Sequence, residues 1–294
     1  MSKMRVMITG CYGQVGHCLV EQLDPIADIL AVDRTELDIT DENAVKVAVA
    51  KFKPDFIINA AAHTAVDKAE EEVELSYAIN RNGPKFLAEA ANDVNAVMLH
   101  ISTDYVFSGD KNGVYTESDL TSPQGVYGES KLAGESAVIN VCPRHIILRT
   151  AWVFGEQGNN FVKTMLRLAK THDTLGVVGD QFGGPTYAGD IASALITIAK
   201  AIYSGESEQF GIYHFSGLPH VSWSEFAQTI FDKAVEQGVL NSSPTVNSIT
   251  TADYPTPAKR PENSKLDTTL ISNTFAINAS DWKLALSNLN EYTE

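Results

Sequence analysis

The sequence predicts an α/β fold, in which a doubly wound parallel sheet is followed by a smaller C-terminal α/β substrate domain. In the first half of the chain, short β-branched runs of strand length alternate with longer segments of helical periodicity. Buried parallel strands are continuous apolar runs, and their alternation with helices is typical of right-handed βαβ units. After about residue 150 the alternation weakens and glycine-rich loops appear.

Five apolar runs predict the strands of the sheet, and they are RVMIT, DILAVD, DFIINA, VMLHIS and HIILRT. Helices are predicted for VGHCLVEQL, NGPKFLAEAAND, FVKTMLRLAK, ASALITIAKAIY and SEFAQTIFDKAVEQG, and loops for GEQGNN and GDQFGGPT. The proline-rich stretch TTADYPTPAKRPENS predicts a long extended connection, which in a compact protein is often functional. We expect a dinucleotide-binding domain at 1–150, joined by later segments near 186–215, with 151–294 forming mainly the substrate domain.

Composition excludes several classes of protein. The net charge of −15 over 294 residues argues against nucleic-acid binding, which needs basic clusters to neutralise phosphates. The three cysteines suit a reducing compartment better than a disulfide framework. The N-terminal residues enter a strand pattern directly, without the features of a signal peptide, and no run is apolar and long enough to span a bilayer. We therefore expect a soluble, cytoplasmic protein.

Three glycines follow the first strand and precede the first helix, in RVMITGCYGQVG. Gly10, Gly13 and Gly16 would let the chain turn tightly, approach a pyrophosphate and pack the helix against the strand. The N-terminus of that helix offers free N–H groups and the positive end of a dipole to the anion. The pattern predicts a Rossmann-type dinucleotide site, and a glycine turn without a ligand is the alternative.

The second strand ends in an acid and a base that bear on the choice of cofactor. Asp33 can accept hydrogen bonds from the adenosine ribose, whereas Arg34 can face a 2′-phosphate. Asp38 and Ile39 follow closely and could border the adenine. The sequence leaves both NADPH and NADH open as cofactor.

Thr103, at the end of the fourth strand, precedes Tyr127 and Lys131, which are four apart on a predicted helix. A phenol, a hydroxyl and a cation suit the reduction of a ketone, because the developing alkoxide needs a proton and hydrogen-bond donors. A free phenol has a pKa of about 10, and a nearby cation favours the phenolate. The alternative is a surface pair, since residues four apart on a helix are neighbours in any case.

Six longer stretches are spread along the chain, and they are NAAAHTAVDKAE (59–70), STDYVFSG (102–109), YGESKLAGE (127–135), RTAWVFGEQGNNFVKTMLRLA (149–169), DQFGGPTYAGDIA (180–192) and YPTPAKRPENSKLD (254–267). They resemble the extended short-chain dehydrogenase/reductases and, within them, the dTDP-4-dehydrorhamnose reductase family. The resemblance implies that NADPH or NADH reduces the 4-keto group of dTDP-6-deoxy-L-lyxo-4-hexulose, giving dTDP-L-rhamnose.

The resemblance also implies a role for each matching residue. Tyr127 would donate the proton, Lys131 would lower its pKa and hold the nicotinamide ribose, and Thr103 would orient the keto oxygen. Asp104 and Trp152 would line the sugar pocket. Cofactor contacts would come from Gly13, Gln14 and Val15 at the pyrophosphate, Asp33, Arg34, Asp38 and Ile39 at the adenosine, and Ala60, Ala61 and Ala62 after the third strand. The dTDP moiety would be held by Asn160, Gln181 and Arg260, the last because a planar guanidinium matches a diphosphate.

One departure from the family concerns magnesium, which some members bind at a dimer interface through an acid on the first helix. Here His17 and Cys18 occupy that stretch, and Glu21 lies one turn further on. We therefore expect no magnesium-bridged dimer and no metal site, because the histidines and cysteines show no zinc-type spacing. A homodimer without metal stays open.

Two other functions also fit the resemblance. One is a related nucleotide-sugar epimerase or dehydratase, although dehydratases usually place further acid and base residues beside the threonine, and Asp104 is followed by Tyr105. The other is a non-catalytic subunit resembling the regulatory subunit of methionine adenosyltransferase. The complete set of Thr103, Tyr127 and Lys131 favours catalysis over that role.

Overall fold

A six-stranded parallel sheet forms the centre of the fold in the computed structural model, which describes residues 3–293. The strands, in chain order, are β1 (Met4–Thr9), β2 (Ala27–Val32), β3 (Phe56–Asn59), β4 (Val97–Thr103), β5 (His145–Thr150), β6 (Val153–Phe154), β7 (Thr174–Val178), β8 (Phe182–Gly183), β9 (Thr186–Tyr187), β10 (Gly211–His214), β11 (Val221–Ser222), β12 (Thr245–Ile249) and β13 (Asn263–Ser264). The central sheet has the order β2-β1-β3-β4-β5-β10, so the five predicted strands are confirmed and a sixth joins them.

Helices cover both faces of this sheet. They are α1 (Gln14–Leu23), α2 (Glu42–Phe52), α3 (Val66–Ala69), α4 (Val73–Tyr77), α5 (Gly83–Asp93), α6 (Val126–Val141), α7 (Phe161–Ala169), α8 (Ala188–Tyr203), α9 (Trp223–Glu236), α10 (Thr269–Phe275) and α11 (Trp282–Ala285). A π-helical turn (Ala78–Asn82) runs from α4 into α5, and 3₁₀ turns lie at Asp104–Val106, Thr251–Asp253 and Leu286–Tyr292. Within residues 3–293, no helix combines the length and apolarity that crossing a bilayer would need.

The alternation of side chains along β1 shows how the two layers of helices are held. Val6 and Ile8 point into one apolar cluster that includes Leu19 of α1 and Leu195 of α8. Met7 points the other way, into a cluster with residues of α2, α5 and α6. Because successive side chains on a strand face opposite sides, a continuous apolar run is buried on both faces. This is the doubly wound arrangement that the sequence predicts.

The order of the strands creates a crevice beside β1. β1 pairs with β2 on one side and with β3 on the other, so the chain changes direction across the sheet at this point. In open α/β sheets, ligands bind at such a switch point, outside the carboxyl ends of the strands. The glycine loop follows β1 and the three alanines follow β3, so both lie at this edge.

The second half of the chain divides its contacts between two cores. α8 packs against α1, and β10 pairs with β5, so residues of the segment 186–215 complete the first sheet. The helices α7 and α9 pack with Phe154 and Trp282 in a separate cluster. Short strand pairs, β7 with β12 and β8 with β11 and β13, lie in this part of the chain.

Candidate active site

The glycine loop turns tightly enough to bring α1 against β1. Gly13 donates its N–H to the carbonyl of Gly10 at 3.0 Å, and a Cβ at Gly16 would lie 2.0 Å from that carbonyl oxygen. Gly13 is the N-cap of α1 and supplies no side-chain hydrogen bond, so the first N–H groups of the helix are free for an anion. Val15 is buried in the core, and its backbone and that of Gln14 form this first turn. The loop fits a pyrophosphate.

A cavity of about 360 Å³ continues from the loop across the carboxyl ends of β1, β2 and β3. Its lining includes Gly10, Gly13, Asp33, Arg34, Asp38, Ile39, Ala60, Ala61 and Ala62. Asp33 accepts hydrogen bonds from the backbone N–H groups of Tyr12 at 3.3 Å and Arg34 at 2.7 Å, and Asp38 is held by Thr40. The structure therefore gathers the predicted adenosine-side residues around one space, with both the acid and the arginine at its edge.

Thr103 and Tyr127 meet at the carboxyl end of β4. The Thr103 hydroxyl donates to Asp104 Oδ1 at 3.0 Å and accepts the Tyr105 N–H at 3.2 Å. The pKa of the Tyr127 phenol is raised above its ordinary value mainly by burial, while its hydrogen bond with the Thr103 side chain acts in the opposite direction. The phenol is thus removed from bulk water and lies beside the hydroxyl, as a proton donor to a carbonyl requires.

Lys131 lies one turn beyond Tyr127 on α6 and is only 2% exposed. Its Nζ donates to the carbonyl of Ile101 at 2.6 Å, and burial lowers the pKa of the ammonium to about 8, with Glu135 acting in the opposite direction. The four-residue spacing of Tyr127 and Lys131 predicts that the pKa of the Tyr127 phenol is lowered. In the structure the pKa of Tyr127 is raised instead, because burial disfavours the phenolate and sequence spacing carries no information about burial.

Helix α6 is fixed at its first turns by Glu70 and Asn80, neither of which was predicted as a site residue. Glu70 accepts the Val126 N–H at 2.9 Å and so caps the start of the helix. Asn80 donates to Ser130 at 3.0 Å and accepts the His63 N–H at 2.8 Å. Glu70 lies in the family-like stretch 59–70, so the sequence could have identified it. Asn80 contacts α6 only in the tertiary structure, which no local pattern predicts.

Two predicted sugar-pocket residues occupy constrained positions. Asp104 is buried, which raises the pKa of its carboxyl to about 6, although the hydroxyls of Ser264 and Thr103 act to lower it. Trp152 has a left-handed backbone with φ of 49°, and its ring stacks on that of Trp223 with 3.5 Å between centroids. Left-handed backbone is unusual for a bulky residue and is found most often where function constrains the chain.

A second cavity, of about 470 Å³, lies between the proline-rich segment and helices α7 and α9. Its lining includes Asp67, Phe161, Met165, Leu168, Gln181, Trp223, Tyr254 and Arg260. Two of the three predicted dTDP-binding residues, Gln181 and Arg260, thus share one space. Asn160 is not in that lining, because its side chain accepts the Lys163 N–H and donates to Gly155 and Gln14. Phe161 and Trp223 were not selected from the sequence, since their pairing across more than sixty residues leaves no local pattern.

Three histidines, His17, His63 and His100, have protein partners. His17 lies 3.3 Å from Glu21, and His63 contacts Ser76 at 2.9 Å. His100 accepts from Asn59 at 3.0 Å in the interior of the sheet. Over the described part of the chain, no three His, Cys, Asp or Glu side chains come together as a set that could hold a metal ion.

Comparison with known proteins yields full-length similarity. The family model described as the RmlD substrate binding domain matches residues 4–293. A dTDP-4-dehydrorhamnose reductase of Aggregatibacter actinomycetemcomitans is 56% identical over 292 residues, 99% of each chain. The crystal structure of a dTDP-4-dehydrorhamnose reductase from Clostridium acetobutylicum is 41% identical, with a TM-score of 0.89 and 97% of each chain covered.

A further solved structure carries a cofactor. The dTDP-4-dehydrorhamnose reductase from Bacillus anthracis, in complex with NADP, is 38% identical with a TM-score of 0.89, covering 97% of this chain and 98% of that chain. Similarity of this extent in both sequence and fold leads to one conclusion. The chain belongs to the RmlD substrate binding domain family, the dTDP-4-dehydrorhamnose reductases.

Proposed function

We propose that this chain uses NADPH or NADH to reduce the 4-keto group of dTDP-6-deoxy-L-lyxo-4-hexulose, giving dTDP-L-rhamnose. The observation that carries the chemistry is the meeting of Thr103 and the half-buried Tyr127 at the carboxyl end of β4, one helical turn from Lys131. The substrate is supported by the relatives named as dTDP-4-dehydrorhamnose reductases, and the cofactor by the relative in complex with NADP.

In this proposal, the residues at the carboxyl end of β4 and on α6 have different roles at the carbonyl group. A reduced nicotinamide cofactor, when bound, would supply the hydride for the C4 carbon of the sugar. Tyr127 gives its phenolic proton to the oxygen that becomes an alkoxide. The Thr103 hydroxyl has one proton, so it turns from Asp104 to donate a hydrogen bond to the same oxygen. Lys131 would hold the nicotinamide ribose and would keep positive charge on the helix that carries the phenolate. Asp104 and Trp152 border the sugar ring.

Two regions of the chain would hold the two ligands. The glycine loop, with Gln14 and Val15 in the first turn of α1, would bind the pyrophosphate, because free N–H groups and tight packing are present there. The adenosine would occupy the cavity beside Asp33 and Arg34. We place the dTDP moiety in the second cavity, between aromatic side chains and Arg260, within the substrate domain of residues 151–294.

The test is a turnover assay, in which NADPH absorbance should fall only when the dTDP-4-keto sugar is added. Tyr127→Phe should bind NADPH as tightly as the wild type but lose at least about a hundredfold in kcat, the low end for general acid catalysis. Tyr77→Phe is the matched control. The Tyr77 hydroxyl also contacts helix α6, but it does so on the exposed side of that helix, where it lies 3.5 Å from Glu129.

Two outcomes would count against the proposal. Near-normal kcat in Tyr127→Phe would remove the proton donor from the mechanism. No consumption of either cofactor by the wild type would favour a binding subunit over an enzyme, and consumption without conversion to the rhamnose sugar would favour another nucleotide-sugar reaction of the same fold.

A further inference from the structure

Asp67 contacts two points of the proline-rich segment that borders the second cavity. Its Oδ2 accepts a hydrogen bond from Nη2 of Arg260 at 2.7 Å, and its Oδ1 accepts the Ala258 N–H at 3.2 Å. Asp67 belongs to the one-turn helix α3, some 190 residues earlier in the chain. One carboxylate therefore fixes both the side chain of Arg260 and the backbone that carries it.

The same segment is anchored again just beyond Arg260. Asn263 donates its N–H to the carbonyl of Gly109 at 2.9 Å, and the carbonyl of Glu262 accepts the Phe182 N–H at 2.8 Å. With Asp67 on one side and these bonds on the other, the backbone at Arg260 has little freedom to move.

Arg260 has donors beyond those it gives to Asp67. Its Nη1 donates to the hydroxyl of Tyr105 at 3.3 Å, and the ring of Tyr105 meets that of Tyr127 edge-on at 5.3 Å between centroids. A guanidinium carries five N–H donors, of which these two contacts use two. The remaining donors suit a diphosphate. Arg260 also contacts Tyr105, whose ring packs against that of the proposed proton donor Tyr127.

The ion pair between Arg260 and Asp67 contributes little to the stability of the fold. The side chains of Arg260 and Asp67 are 30% and 38% exposed, and pairs that exposed add little to the free energy of folding. Ordering a long, flexible side chain before a ligand arrives, by contrast, removes part of the entropy cost of binding. The arrangement is therefore better explained by what Arg260 binds than by the fold.

We propose that Asp67 is a positioning residue, which holds Arg260 at the second cavity so that its guanidinium is already oriented for the diphosphate of the nucleotide sugar. This inference rests on the proposed function and extends it to a residue that acts through Arg260. It separates the two acids of the 59–70 stretch, since Glu70 caps the catalytic helix whereas Asp67 orders the substrate side.

The experiment measures the KM of the keto sugar, kcat, and the Kd of dTDP and of NADPH by calorimetry. Asp67→Ala should raise the KM and the Kd of dTDP about tenfold, the order expected for losing one preordered side chain, with little change in kcat or in the Kd of NADPH. Asp67→Asn should recover part of the loss, because its amide oxygen still accepts a hydrogen bond. Glu236→Ala is the control for removing an acid from an exposed ion pair, here with Lys233 at 2.6 Å.

A double-mutant cycle isolates the route through Arg260. In an Arg260→Ala background, Asp67→Ala should add almost nothing, because the residue it positions is already absent. Full additivity, an unchanged Kd of dTDP in Asp67→Ala, or an equal loss in NADPH affinity and kcat would each overturn the proposal. The binding measurements need no turnover, so an inactive wild type that binds dTDP would refute the proposed function and still test Asp67.

Discussion

Gly134→Ala would place a methyl group where helix α6 meets the π-helical turn Ala78–Asn82. A Cβ at this position would lie 2.0 Å from the carbonyl oxygen of Asn80, a backbone atom that cannot rotate away. Contacts shorter than about 3.0 Å are essentially never seen for a Cβ, so the helix and the turn must separate by about 1 Å. The helix also carries Tyr127 and Lys131, so the separation displaces the proposed proton donor and its cation.

Two effects on stability partly cancel, which makes kcat the sharper measurement. Overpacking costs about 1–3 kcal/mol, and the better helix propensity of alanine offsets about 1 kcal/mol of that. A displacement of about 1 Å at the reacting groups can cost on the order of a hundredfold in rate. We therefore expect a folded variant whose kcat in the NADPH absorbance assay falls by about that factor, with urea unfolding reporting its stability.

The control for Gly134→Ala is Ser136→Ala, on the exposed side of the same helix. An unchanged kcat in Gly134→Ala would refute the reasoning, since it would mean either that the turn yields without moving α6 or that the position of α6 does not matter. A large loss of stability in the control would show instead that the helix tolerates no substitution.

Two further predictions concern α6. Because burial lowers the pKa of Lys131 to about 8, kcat/KM should fall about tenfold per pH unit above that value as the ammonium is lost, and Lys131→Arg, which stays charged, should abolish this alkaline limb. An alkaline limb that persists in Lys131→Arg would assign it to another group. Glu135→Gln leaves Arg149 without its counter-charge in a pair that is 3% and 1% exposed, so we expect a loss of about 3–5 kcal/mol in urea unfolding. A loss below 1 kcal/mol would contradict an uncompensated buried charge.

The first sheet and its cofactor edge were largely predictable because their signals are local. The continuous apolar runs of β1 to β5 indicate that these strands are buried, and three glycines in one short loop predict the tight turn. β10 was not predicted, because GIYH is short and becomes a strand only by pairing with β5. GDQFGGPT was predicted as a loop, yet it contains β8 and the first residue of β9, whose partners come from distant parts of the chain.

In the candidate site, too, the features with local sequence signals were predictable and those that depend on distant residues were not. Thr103, Tyr127 and Lys131 were chosen from residue type and spacing, and the structure places them at one end of the sheet. The pKa of the phenol could not be chosen in that way, since burial decides it. Asp67 stood in a quoted motif without a role, because its partner Arg260 lies far away in sequence.

By itself, the sequence determined the doubly wound sheet, the glycine loop, and the candidate set of hydroxyl, phenol and cation. Each of these features depends on only a few neighbouring residues, through strand burial, tight turns or helical spacing. Only the tertiary structure decided which residues surround each cavity, what Asp67 and Glu70 hold, and how far the phenol and the ammonium are removed from water. Those properties depend on groups brought together from distant parts of the chain, and desolvation is a sum over all of them.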